Sequence, residues 1–260
     1  YKDVDFVAEG DEAFVPPSIT RQISVFTFQE FALNDTWTLQ GSARAEQQDL
    51  SAPGLPGYDD WAFGASIGAI WRTSDTTSLA ANLALTERHP TTTELYAEGP
   101  HVAVQRFERG SVKTTGTLFD KERSANLDVT FRYEKLGVDL SVTGFYNSVK
   151  DYILLRPTDE EEDEFQVFNF AAADVDLYGF EFEALIDLFD NDNGHLHARL
   201  TSDFVFAEES GSGAYLPRMP PLRYGFGLHY QRDRFEAGVE AHISQAQDQV
   251  ALGGVNPDRC

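Results

Sequence analysis

His89, Glu94, Glu98 and His101 fall in one short stretch, RHPTTTELYAEGPH (88–101). Imidazole with carboxylate is the donor set of zinc and other borderline divalent cations. The stretch therefore reads as a candidate substrate-binding turn, with His89 and His101 as the metal ligands. It also reads as a solvated loop in which Glu94 caps a helical turn. His195 and His197, two residues apart, place both imidazoles on one face of a strand. They directly follow the tight turn DNDNG (190–194), so they read as structural. His229 and His242 lie near Glu236 and Glu240 and read as cross-strand complementarity. A Gln231–Arg234 pairing would set His229 opposite Glu236 and Arg223 opposite His242. No Ser–His–Asp set, glycine-rich phosphate loop or cysteine metal site occurs. The expectation is a protein that is not an enzyme and has no cofactor.

These residues must be positioned by strands. In ANLDVTFRYEKLGVDLSVTGFYN (125–147), Leu127, Val129, Phe131 and Tyr133 alternate with Asp128, Thr130, Arg132 and Glu134. Side chains of a strand alternate between faces, so this is an antiparallel hairpin with one apolar and one polar side. The same pattern predicts strands over 1–9, 18–33, 36–48, 60–73, 77–88, 124–134, 138–155, 165–189, 194–208, 221–231 and 234–250. Short connections at 34–35, 73–76, 135–137, 190–194 and 232–233 alternate with long ones at 10–17, 49–59, 89–123, 156–164 and 207–220. Tight turns at one end and elaborate loops at the other are the pattern of an outer-membrane barrel, with brief periplasmic turns and extended extracellular loops.

Charge and composition narrow the reading. The chain has 43 acidic and 20 basic residues, a net charge of −23 that would repel a phosphate backbone, so nucleic acid is not an expected partner. Hydrophobic residues make up 42% and mean hydropathy is −0.35, and no apolar run is long enough for a spanning helix. A barrel needs apolar residues only at alternate positions. Tyr133, Tyr146, Tyr224, Tyr230, Trp37 and Trp71 lie near strand ends, where aromatic girdles meet the lipid boundary. The acidic run DEEEDEF (159–165) reads as a solvated extracellular loop tip that can also gather cations bridging lipopolysaccharide. The single cysteine, Cys260, leaves no disulfide framework within the chain.

LTERHPTTTELYAEGPHVAVQRFERG (85–110) resembles the TonB-dependent outer-membrane receptors. A strand ends in Glu87-Arg88, a Pro-containing step follows, then an ELY helical turn, then FERG, and a Glu-x-Ser-x-Asn element (122–126) opens the next strand. FYNSVKDYI (145–153), VDLYGFEFEA (175–184) and LPRMPPLRYGFGLHY (216–230) match the same family in the same order. The GPH…FExG version is similar to the branch containing zinc-uptake receptors. The resemblance implies an all-β antiparallel transmembrane barrel, with about eleven strands visible here of about 22. Residues 1–260 are then part of the barrel domain, with the plug, the coupling segment and the last strands outside the chain. It further implies energy-coupled uptake of a scarce nutrient, a metal ion or metal chelate. The partners would be outer-membrane lipid and lipopolysaccharide, a TonB-type energy-coupling protein engaged through an N-terminal segment, and the small ligand. A passive porin-like channel and a soluble β-sandwich binding protein are the alternatives.

Overall fold

The computed structural model describes residues 1–10 and 13–248. Eleven strands follow one another in a single antiparallel sheet in which each main strand pairs with its neighbours along the chain. They are β1 (Lys2–Phe6), β2 (Ser18–Ala32), β3 (Trp37–Ser51), β4 (Tyr58–Ser74), β5 (Thr77–Arg88), β8 (Glu122–Lys135), β9 (Val138–Glu162), β10 (Phe165–Asn191), β11 (Gly194–Glu209), β12 (Arg223–Arg232) and β13 (Phe235–Ser244). Between β5 and β8 the connection folds on its own. It holds α1 (Thr92–Tyr96), β6 (Glu98–His101), a 3-10 turn (Val102–Val104), β7 (Arg106–Arg109) and α2 (Ser111–Thr114).

The tight turns follow the residue types expected of them. Leu136 and Gly137 both take positive φ between β8 and β9, the left-handed pair a two-residue hairpin needs. At the β2–β3 turn the Asn34 carboxamide accepts from the Thr36 and Trp37 amides, closing the reversal. Two differences from the sequence reading concern strand pairing. The acidic stretch 156–164 is not a loop: β9 and β10 continue through it, with Glu162 opposite Phe165 and only Asp163-Glu164 turning, both at positive φ. Arg109 of β7 explains this, because it binds Glu160 at 2.6 Å and also Glu162, offsetting the repulsion along the ribbon. The β12–β13 register also differs: Arg232 pairs with Phe235, so His229 faces Gly238 and His242 faces Gly225. The turn sits on Asp233-Arg234, where Asp233 takes φ 54°, and Arg223 lies opposite Asp203 of β11. The last expected strand ends at Ser244, and Cys260 lies outside the described residues.

The faces are as the alternation requires. Leu127, Val129, Phe226, Val239 and Ile243 project, exposed, from one side of the sheet. The other side carries cross-strand polar pairs such as Thr130–Thr143, Arg199–Glu183 and Arg223–Asp203. Phe26 and Phe28 are exceptions, exposed on the polar side opposite Arg44 and Ser42. A sheet this wide with its oily residues exposed matches a lipid-solvated barrel wall, not a sandwich core. Its height agrees. Trp37 and Trp71 stack at 5.6 Å near the tight-turn end, and Trp61 stacks with Phe63 near the loop end. Trp61 and Trp71 share the outward face of β4, ten residues apart. At about 3.4 Å per residue and a tilt of about 40°, that is roughly 26 Å, close to the apolar band of such barrels.

Candidate functional site

The 89–121 segment is anchored on the polar side of the sheet at the loop end. Leu50 continues the inward row Gln40–Ser42–Arg44–Glu46–Gln48 of β3, and Tyr58 lies opposite it on β4. Leu95 and Tyr96 of α1 bury against both, with Leu55, Val112, Leu118 and Phe119 around them. The Tyr96 hydroxyl donates to the Pro56 carbonyl at 2.5 Å and the Gln48 carboxamide donates to that of Pro90 at 3.1 Å. The segment is therefore packed into the mouth of the bore. Its far end reaches β10, where β7 pairs in parallel through Phe107, Glu108 and Arg109.

The four residues singled out by spacing are not gathered into one group. Glu94 completes a capping box on α1: the Glu94 amide donates to the Thr91 hydroxyl, and the Thr91 amide donates to the Glu94 carboxylate at 2.7 Å. That is the helical-turn reading of this residue. Glu98 pairs with Lys113. His89 is only 6% exposed and its Nδ1 meets the Tyr58 hydroxyl at 2.9 Å. His101 stands apart, stacked on Phe14 at 4.7 Å, with its Nδ1 3.0 Å from the Glu108 carboxylate. Among the described residues no three His, Cys, Asp or Glu side chains are placed to hold a metal ion together. The physical reason is local. Each side chain meets partners of its own, several of them outside the segment, and spacing along the chain does not register those partners.

Four residues that spacing did not single out, Arg88, Glu122, Glu108 and Gly110, hold the segment in place. Arg88, at the end of β5, donates to Glu122 at 2.6 and 2.5 Å and to Glu94 at 3.1 and 3.0 Å. Glu122 also accepts from the Ile153 amide at 2.8 Å, tying β5, α1, β8 and β9 at one point. Glu108 is 2% exposed, held by Arg106 at 2.6 Å, and presents its carboxylate to His101. Gly110 lies against the α1 backbone, and its amide donates to the Ala97 carbonyl at 2.8 Å. The strand-exit, FERG and Glu-x-Ser-x-Asn motifs carried these residues in the sequence; their joint role needed the fold.

Burial holds the His89 imidazole below its ordinary value of 6.5. With the segment seated, His89 resists protonation; once it opens, the ring takes up a proton more readily. Seating is therefore favoured above about 6.5 and weakened as pH falls through that value. Amide exchange at Leu95 and Tyr96, corrected for intrinsic rates, is expected to be faster at about pH 5 than at about pH 8. His89→Asn should flatten the difference, and an unchanged difference in that variant would rule His89 out as its cause.

Solved structures share the fold of this chain at low identity. The "Copper transporter OprC" superposes with a TM-score of 0.75 at 19% identity, over 90% of this chain and 36% of that one. The FrpB iron transporter from Neisseria meningitidis (F3-3 variant) gives 0.62 at 16%, over 89% and 34%. The Serratia marcescens hemophore receptor HasR gives 0.69 at 14%, over 92% and 46%. The chain thus spans less than half the length of each. A family profile described as "TonB dependent receptor-like, beta-barrel" matches residues 3–256.

Proposed function

This chain belongs to the TonB-dependent receptor-like β-barrel family, and from that premise we propose that it forms part of a receptor wall for energy-coupled uptake of a metal ion or metal chelate. Barrels of this family lie in the outer membrane of Gram-negative bacteria and transport their cargo without covalent chemistry. The proposed partners follow from that setting. Lipid and lipopolysaccharide would contact the outward apolar face, and a TonB-type coupling protein would act through a segment outside this chain. The names of the similar structures, transporters of copper and iron and a receptor for a haem-carrying protein, support a metal-centred cargo.

The observation that carries the reading is the His101–Glu108 pair. A ligating histidine almost always donates its other ring N–H to a carboxylate, a backbone carbonyl or water. Glu108 is such a partner for Nδ1 of His101, and Arg106 fixes Glu108 in turn. Nε2 of His101 has no hydrogen bond among the described residues, and the side chain is 35% exposed at the bore mouth. An imidazole in that position suits a borderline divalent cation, zinc included, or the open coordination site of a chelate. His101 would thus be the substrate ligand of the original four, with Glu98 paired to Lys113 and His89 and Glu94 shaping the segment.

In the whole receptor, held in detergent, His101→Ala is expected to abolish the tightest zinc-binding event seen by titration calorimetry. Glu108→Gln should weaken it roughly 10- to 100-fold, the usual effect of losing an orienting carboxylate. Unchanged affinity in both variants would remove this site from the reading. Evidence of free permeation by unrelated small solutes through the whole receptor would instead favour a passive channel.

A further inference from the structure

At the opposite, tight-turn end of the polar face the fold assembles a second set of imidazoles. His197 of β11 lies directly opposite His229 of β12, and His195 lies two residues before His197 on the same face. The His197 and His229 rings stack at 5.1 Å between centroids, 15° from parallel, and His195 is 5.2 Å from His197. A carboxylate stands at each end of the row. Asp187 meets Nε2 of His195 at 2.7 Å, and Glu240 meets Nε2 of His229 at 3.1 Å while lying 3.8 Å from His242.

From this row we propose a second metal site, formed by His195, His197 and His229, for a borderline divalent cation of the zinc–copper class. The chemistry is that of soft-to-borderline nitrogen donors with outer carboxylates. Asp187 and Glu240 each occupy one nitrogen of an end ring, leaving the other nitrogen for a cation; no hydrogen bond engages His197 among the described residues. The surrounding charged side chains on this face behave differently. Arg199 pairs with Glu183 and Arg223 with Asp203, both at 2.7 Å, so these guanidiniums are neutralised apart from the imidazole row.

The glycines of the adjoining strands make the room. A Cβ on Gly238 would come within 2.9 Å of Nδ1 of His229, and one on Gly227 within 3.1 Å of its Nε2. The His229 ring therefore lies over bare backbone, where it can turn about its side-chain torsions. That freedom matters, because in their present rotamers His197 stacks on His229, His195 is tilted 39° to His197, and the three rings do not converge on one point. A cation replaces stacking by coordination through rotation of partly exposed side chains, with no movement of the sheet. Located at the end of the bore away from His101, the site would hold a cation on its way out. That role rests on the transport reading; binding itself does not.

The test is zinc titration of the whole receptor in detergent, counting binding events. Wild-type protein is expected to show two, and His197→Ala/His229→Ala one, with the event assigned to His101 retained. His101→Ala should lose the other event and keep this one, so failure of the two readings is told apart. Asp187→Asn should weaken the second event roughly 10- to 100-fold. His242→Ala, outside the triad, should leave it in place. The heat-modifiable gel mobility of the barrel serves as the folding check, and His197→Gln/His229→Gln replaces the alanine pair if that pair fails it. An unchanged number of events in a folded variant lacking both rings would overturn the proposal.

Discussion

Gly110→Ala is expected to expel the 89–121 segment from the bore mouth while leaving the strands of the barrel paired. A Cβ on residue 110 would lie 2.5 Å from both the carbonyl carbon and the oxygen of Leu95, and 2.6 Å from the Tyr96 nitrogen. The obstacle is backbone, so no side-chain rotation relieves it. Overpacking into a side chain costs about 1–3 kcal/mol, and a backbone clash belongs at the top of that range. The variant would also strain the hydrogen bond from the Gly110 amide to the Ala97 carbonyl, which joins the two halves of the segment. A penalty of about 3 kcal/mol shifts the seated-to-open equilibrium on the order of 100-fold. Limited proteolysis within 89–121 should accelerate accordingly, and the zinc binding proposed at His101 should fall with it, because His101 is carried by the same segment. The barrel should keep its heat-modifiable mobility. Protection from protease equal to wild type would show that the packing around Gly110 tolerates a methyl group.

Arg88→Ala is expected to produce the next largest effect, by a different route. The guanidinium serves two carboxylates, Glu94 and Glu122, whose side chains are only 13% and 10% exposed. Removing it leaves both without their counter-charge. Breaking a fully buried pair costs about 3–5 kcal/mol. Arg88 itself is 42% exposed, so solvent screens part of this and about 2 kcal/mol is a better figure. That corresponds to roughly 30-fold more opening of α1, read as amide exchange at Leu95 and Tyr96. Arg88→Lys should fall between, since a point charge cannot fork onto two carboxylates as a guanidinium does. Exchange in the alanine variant matching wild type would mean that the Glu94 capping box and the Leu50–Tyr58 contacts hold α1 unaided.

Together these variants separate the wall of the barrel from the element it carries. The wall is built from local alternation and tight turns, and single changes in the segment should not reach it. The segment is held by a few long-range contacts: Arg88 to Glu122, Gly110 to α1, Phe14 to His101. Substrate contact is proposed on the segment, so selectivity can vary with little cost to the fold.

The sequence by itself determined the strand order, the sidedness of the sheet and which end carries the loops. These depend on a period of two and on turn residues such as Asn34 and Gly137, which act over a few positions and leave a local record. It also contained the motifs of the mouth segment, and it correctly offered a helix cap at Glu94. Only the tertiary structure decided what those motifs do. It turned the acidic 156–164 stretch into paired strand, because Arg109, more than forty residues earlier, reaches Glu160 and Glu162. It set the β12–β13 register, and with it the neighbours of His229, because a two-residue slip preserves the same alternation and so leaves no trace in the pattern. It also drew His101 to Glu108 and scattered His89, Glu94 and Glu98 to separate partners. Metal coordination and ion pairing act across angstroms between side chains, and closeness along a chain is a poor guide to that distance once a segment folds back on itself.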